Sequence, residues 1–250
     1  MNTTIKLCTT YSKNDAQVLL LKNVKQLPAR LFSKDEYAYI LTEMKEDKKS
    51  LVINQFKRII FIHVFSQTTN QHSFLEKCRK EGDRLLSSLN RYKIKQVVLV
   101  DLIGNKEGVL AIAEGMALGN YQFLKYKKEN KKEKHALHSI LIHCQKMKLR
   151  DVELLQISTD ATLRCRDLVN EPQSHQSATQ LAEVFRQLGK ESGFKSEVLK
   201  KAKIKLLKMG GLLAVNKGSQ EPPTFTIMEW KPRNAKNKKA LCVGRKRSGL

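Results

Sequence analysis

The sequence is short of negative charge, of aromatic residues and of long apolar runs, and each shortage excludes something. Asp and Glu number 24 against 47 Lys and Arg, a formal net charge of +23 at pH 7. Aromatic residues make up only 6%. Few of them stand between the basic residues, so no platform for stacking bases is indicated. No helix-turn-helix, RNP or zinc-finger spacing accompanies the charge, and the surplus implies at most nonspecific affinity for nucleic acid. No run of about 18 apolar residues exists, which excludes a transmembrane helix. The opening MNTTIKLCTTYSKNDAQ lacks the apolar stretch of a secretory signal. A soluble, cytoplasmic protein is expected.

Cysteine is sparse as well. Cys8, Cys78, Cys144, Cys165 and Cys242 are five, with no close pair, which argues against a disulfide framework and fits a reducing compartment. His135, His138, His143 and Cys144 lie close in sequence. The run 138–143 reads as a strand, however, so His143 and Cys144 should face opposite sides. Tetrahedral zinc needs three or four convergent ligands, and no second Cys/His group completes the set. These residues read as core and strand-end positions.

What is present is an alternation of strands and helices. Residues 16–21, 58–65, 96–102 and 138–143 are apolar runs of strand length. QVVLVDL is continuous enough to be covered by helices on both faces. Helices are predicted over 34–46 after a Ser33 N-cap, over 71–92 and over 107–121, and a solvated basic turn over 125–134. This order specifies an α/β domain with a parallel or mixed sheet, ending near residue 148. A second section follows: a helix over 151–170 stopped by Pro172, and a helix over 177–193 capped by Ser177 and Gly193. Then come a strand over 195–199, a basic helix over 200–209, and strands over 212–215 and 225–230. Two or three strands are too few for a complete sheet domain. Residues 231–250 hold eight Lys/Arg and no acidic residue, as in a solvated tail.

Three segments carry a family resemblance. IAEGMALGNYQFLKYK (112–127), CRDLVNEPQSHQSATQLAE (165–183) and MGGLLAVNKGSQEPPTFTIMEWKP (209–232) resemble, in the same order, segments of the leucyl aminopeptidases, the cytosol aminopeptidase family of two-metal exopeptidases. The resemblance implies three parts. Residues 1–148 would form a macro-like three-layer N-terminal domain with a mixed sheet. Residues 149–232 would be the linker helix and the start of an incomplete α/β catalytic domain, and 233–250 a basic tail. The residues themselves read structurally. Gly115 and Gly119 suit a tightly packed helix, Pro172 sets a sharp junction at Glu171, and Gly210-Gly211 is expected to end one helix and enter a strand. Glu114 and Glu171 read as surface or junction carboxylates.

The resemblance further implies removal of N-terminal residues from peptides by two divalent metals, manganese or zinc, that polarise the carbonyl and activate water. Full-length relatives are hexamers, a homo-oligomer that this shorter chain is not expected to form readily. The family's ligands begin in a V-G-K-G-x-x-x-D-[ST]-G-G motif, and the corresponding point here is Cys242-Val243-Gly244. There the pattern departs: Arg245-Lys246-Arg247-Ser248-Gly249-Leu250 supplies no acidic ligand, and Lys246 is the only remote metal candidate. No catalytic residue, metal ligand or cofactor is therefore expected in this chain. Codons exist for 244–250 that, read one base later, give V-G-K-G-V-V-Y and the start of an acidic codon. A frameshift near 241–244 that truncates an aminopeptidase frame is expected. Two other readings compete: a noncatalytic binding module with nonspecific nucleic-acid affinity, and a small-molecule pocket in the head. The second finds no Gly-rich phosphate loop in residues 1–110.

Overall fold

The computed structural model describes residues 3–44, 48–65, 70–127, 134–232, 234 and 241. The chain divides into two units, Met1–Asp167 and Leu168–Leu250.

Unit 1 is built on strands β1 (Thr4–Leu7), β2 (Ala16–Leu21), β3 (Ser50–Asn54), β4 (Ile59–Val64), β5 (Gln96–Asp101) and β6 (Ser139–His143). They form one sheet in the order β1-β6-β5-β2-β4-β3. Every neighbouring pair is parallel except the β3–β4 hairpin. Helices α1 (Lys34–Glu43), α2 (Gln71–Arg91), α3 (Lys106–Gly119) and α4 (Leu149–Asn170), the last up to Asp167, complete the unit. Side chains alternate across the pleat. Val18, Leu20, Phe61, Val97, Leu99, Ile140 and Ile142 enter the core shared with α2 and α3. Leu19, Leu21, Ile60, Ile62, Val98 and Val100 enter a second core with Ile40 of α1. Both faces of the central strands are thus covered, which is why they read as unbroken apolar runs. The architecture is the three-layer α/β arrangement with a mixed sheet that the sequence predicts.

Helix starts follow local chemistry. Ser33 and Glu36 form a reciprocal capping box on α1, and the Asn70 and Asn105 side chains accept from the first turns of α2 and α3. The tightest packing is between α2 and α3. A Cβ on Gly115 would lie 2.0 Å from the Arg79 carbonyl oxygen, and one on Gly82 2.3 Å from that of Ile112. The two helices touch backbone to backbone, which only glycine permits at these positions.

Two strands escape the sequence patterns. In β1 only Ile5 is buried, so four residues carry no alternation. Its outer edge is covered locally, because Gln156 of α4 accepts from the Ile5 N–H at 2.6 Å and donates to the Thr3 carbonyl at 3.3 Å. In β3, an edge strand, only Leu51 and Ile53 are buried. It leads into β4 through a turn with Phe56 at φ 60°, whose N–H donates to Asn54 Oδ1.

Unit 2 holds α5 (Ala178–Ser192), β7 (Lys195–Lys200), α6 (Lys201–Leu206), α7 (Gly210–Asn216) and β8 (Thr224–Glu229). β7 and β8 pair antiparallel, from Lys195↔Glu229 to Lys200↔Thr224. Ser177 caps α5 with Gln180, and Gly193 ends it in the left-handed region at φ 76°. The strand expected over 212–215 is instead helix α7. Gly210 and Gly211 open that helix rather than a strand. A Cβ at either would meet nothing within 4 Å, so the pair is not demanded by sterics. The basic turn over 125–134 lies outside the described residues at 128–133. Of the tail over 233–250 only Asn234 and Leu241 are described.

Candidate functional site

The first family-like segment is the second half of α3 and its exit. Glu114 pairs with Arg79 of α2 at 2.7 Å. Asn120 is buried, and its amide donates to Thr3 Oγ1 at 2.8 Å and to the Leu137 carbonyl at 2.7 Å. A buried amide so engaged ties three chain segments together, and its loss leaves two acceptors unpaired. Tyr121 Oη donates to Asp167 Oδ1 at 2.8 Å. Arg166 lies over the Tyr121 ring at 5.5 Å and donates to the Leu118 carbonyl at 2.6 Å. The first segment therefore meets the opening of the second directly. Tyr121, Arg166 and Asp167 act as a structural joint, with carboxylate, guanidinium and ring occupied by one another.

The second segment leaves α4 through Pro172, whose φ of −61° and ψ of 149° are extended, as proline requires, and enters α5 at its cap. The third comprises α7, the Pro222-Pro223 loop and β8. Thr224 Oγ1 donates to the Ala178 carbonyl at 3.1 Å, which pins the start of β8 to the start of α5. Within the three segments side chains pair with one another as well as with backbone, and one hydroxyl–imidazole contact occurs, between the exposed neighbours Ser174 Oγ and His175 Nδ1 at 3.0 Å.

The histidine-rich stretch does not converge. His135 Nδ1 lies 3.2 Å from the Asn120 carbonyl, and His143 Nδ1 lies 3.3 Å from that of Cys8. The Cys144 thiol donates to Asp101 Oδ2 at 3.0 Å. Burial first, and then the Asp101 carboxylate, push that thiol up to about 11. A protonated thiol is a poor metal ligand. Among the described residues no group of three or more His, Cys, Asp or Glu is placed to hold a metal ion. Lys246 lies outside the described residues.

One polar pair was invisible to sequence reading. Ser50 Oγ and His63 Nδ1 lie 2.8 Å apart in the interior of unit 1. They are brought together by the β3–β4 register, Ser50↔His63. No motif spacing announces such a pair. Only recognition of β3 as the partner of β4 would have found it.

Against this geometry stand the similarities to known proteins. The family model for the cytosol aminopeptidase family, catalytic domain, matches residues 163–246. A probable cytosol aminopeptidase of Chlorobaculum parvum is 56% identical over 80 residues, which are 32% of this chain and 16% of that protein. Its counterpart in Chloroherpeton thalassium is 35% identical over 211 residues, covering 74% of this chain and 41% of the relative. The chain thus spans less than half the length of these relatives. A tomato leucine aminopeptidase mutant superposes with a TM-score of 0.73 at 17% identity, over 94% of this chain and 52% of that one. The bottromycin maturation enzyme BotP in complex with Mn superposes at 0.66 and 18% identity, over 89% and 46%. At such identities the superpositions speak for the fold alone. With the family model on 163–246, the ordered segments matched in sequence and the fold shared along most of its length, the chain belongs to the leucyl (cytosol) aminopeptidase family.

Proposed function

We propose that this chain is the non-catalytic part of a two-metal aminopeptidase. It supplies the N-terminal α/β unit and a part of the catalytic domain, and the 250 residues do not hydrolyse peptides by themselves. The observation that carries this reading is the catalytic-domain match over 163–246 on a segment in which no three described His, Cys, Asp or Glu are placed to hold a metal ion. Two-metal hydrolysis requires ligands that clamp cations about 3.5–4 Å apart. The described donors do not fit such a centre, since no three of them converge, and no step is assigned to them. Release of N-terminal residues belongs, in this reading, to an enzyme that contains further ligand-bearing residues. A cytoplasmic setting is part of the same proposal. No described helix is long and apolar enough to cross a membrane, and the relatives are named cytosol aminopeptidases.

The test is hydrolysis of Leu-p-nitroanilide by the purified 250-residue chain with manganese or zinc added. The expected result is release no faster than the metal-only blank; robust turnover overturns the proposal. The reading also takes residues 245–250 to be translated one base out of register. The coding DNA decides this, and a shifted frame without acidic-ligand motifs sinks it.

A further inference from the structure

A cavity of about 250 Å³ lies in unit 1, lined by Lys49, His63, Phe65, Phe74, Lys77, Cys78, Glu81 and Arg84. It sits at the C-terminal end of β4, where open parallel sheets receive ligands. One wall is a single face of α2: Phe74, Lys77, Cys78, Glu81 and Arg84 recur at helical spacing. The other is β4 with Lys49, which precedes β3. The volume is below the usual range of about 300–1,000 Å³ for ligand pockets. That leaves room for one ring and one charged group, not for a nucleotide.

The chemistry of the lining is divided. Phe65 and Phe74 present rings 5.6 Å apart, and His63 meets Phe65 edge-on at 5.4 Å. The Cys78 thiol is held by burial at a pKa of about 12 and is neutral. Around this apolar interior stand three cations and one carboxylate. Glu81 is paired with Arg84. Lys49 and Lys77 make no ion pair with a described carboxylate. His63, only 2% exposed, has its basicity lowered by burial; Glu81 opposes this, and Lys49 and Arg84 add to it. Charges on two elements thus act on one small volume, and their balance is positive. In the tautomer in which Nδ1 accepts from Ser50 Oγ–H, the neutral ring carries its proton on Nε2 as a donor.

We propose that this cavity binds a small aromatic anion: an oxyanion, carboxylate or phosphate, carried on a flat apolar body. The ring packs against the Phe65–Phe74 pair, and the oxyanion is held by Lys49, Lys77 and the His63 N–H. The proposal is independent of the peptidase reading, because all these residues lie outside the segment matched by the catalytic-domain model, and either can fail alone.

The experiment is an NMR titration of the histidine imidazoles of the full chain, with phenyl phosphate and benzoate as probes and inorganic phosphate and phenol as half-probes. Phenyl phosphate or benzoate is expected to move the His63 signals saturably. The bound anion should also raise the pH at which His63 titrates, since it offsets the surrounding cations. The two aromatic anions tell phosphate from carboxylate as the preferred group. The double variant K49E/K77E, both positions being exposed, should keep its fold by circular dichroism and bind at least about tenfold more weakly. Unchanged affinity in that variant, or no saturable His63 shift with either aromatic anion, overturns the proposal. Inorganic phosphate binding as tightly as phenyl phosphate overturns its aromatic half.

Discussion

Units 1 and 2 use the same element types, yet they bury their apolar residues to opposite extents. In β2 of unit 1 all six residues are buried. In β8 of unit 2, TFTIME, none is. Phe225 and Ile227, two apart and hence on one side of the strand, are 41% and 43% exposed, and Trp230 is 70% exposed. The difference is one of layers. Six strands between helices give every central residue a neighbour on each side. A two-stranded ribbon is marginal in water unless further strands or helices cover it, and in unit 2 the fully buried apolar side chains reduce to a few such as Ala182, Leu199 and Ile204. Strand-forming sequence is therefore common to both units, whereas the packing that stabilises it is concentrated in the first.

The sharpest way to break this contrast is through glycine. Gly115→Ala drives a methyl group to 2.0 Å from the Arg79 backbone. It should cost about 3 kcal/mol or more, because neither helix can move without disturbing the core. Gly210→Ala in α7 meets open space and should stabilise its helix by about 0.5–1 kcal/mol. Urea unfolding of the two variants checks both signs, and equal losses would show that the steric contrast is wrong. Next in size, Leu99→Ala in the wholly buried part of β5 should cost about 2–5 kcal/mol. Ile227→Ala on the exposed side of β8 should stay within about 0.5 kcal/mol.

A subtler comparison needs no mutation. Amide hydrogen exchange should find β2 and β5 opening only with global unfolding, while β7 and β8 exchange through cheaper local openings. Protection of β8 equal to that of β5 would mean that the exposed apolar side chains of unit 2 are covered in solution.

The same contrast decides what was legible in the sequence. Strands covered on both faces, β2, β4, β5 and β6, are continuous apolar runs and were readable as such. So were the capped helices, because Ser33, Ser177 and Gly193 act through local hydrogen bonds and backbone conformation. Edge strands β1 and β3 were missed, since a strand with one buried face and four or five residues leaves too few apolar positions to make a pattern. Residues 212–215, LLAV, were expected as a strand and form part of α7. A short apolar run has no periodicity of its own, and the structure closes it into a helix after the chain reverses at Lys208, φ 54°. The family segments were legible because their glycines and prolines occur in a fixed order. The Ser50–His63 pair and the cavity beside it were not, since long-range register assembles them from residues with no local signature.

A last contrast concerns the thiols and separates the interior of unit 1 from its surface. Cys78 and Cys144 are buried, with pKa values raised to about 12 and about 11, whereas Cys165 on α4 is exposed. At pH 8 iodoacetamide should label Cys165 promptly and reach Cys78 and Cys144 only as the protein unfolds, because the thiolate is the reacting form. The same shifts fix the sign of a pH effect. Between the ordinary thiol value of 9.0 and these raised values, the unfolded chain has released protons that the folded chain still holds. Stability should therefore be fully present below pH 9 and decline as the pH rises towards 11 and 12. His63 acts at the other end. Its lowered value means that the unfolded state takes up a proton first as the pH falls below 6.5, so stability also declines there. Urea midpoints measured from pH 5 to 11 should trace a plateau with both shoulders, and Cys78→Ser with Cys144→Ser should flatten the alkaline one. An alkaline shoulder that survives both substitutions would assign it to other groups.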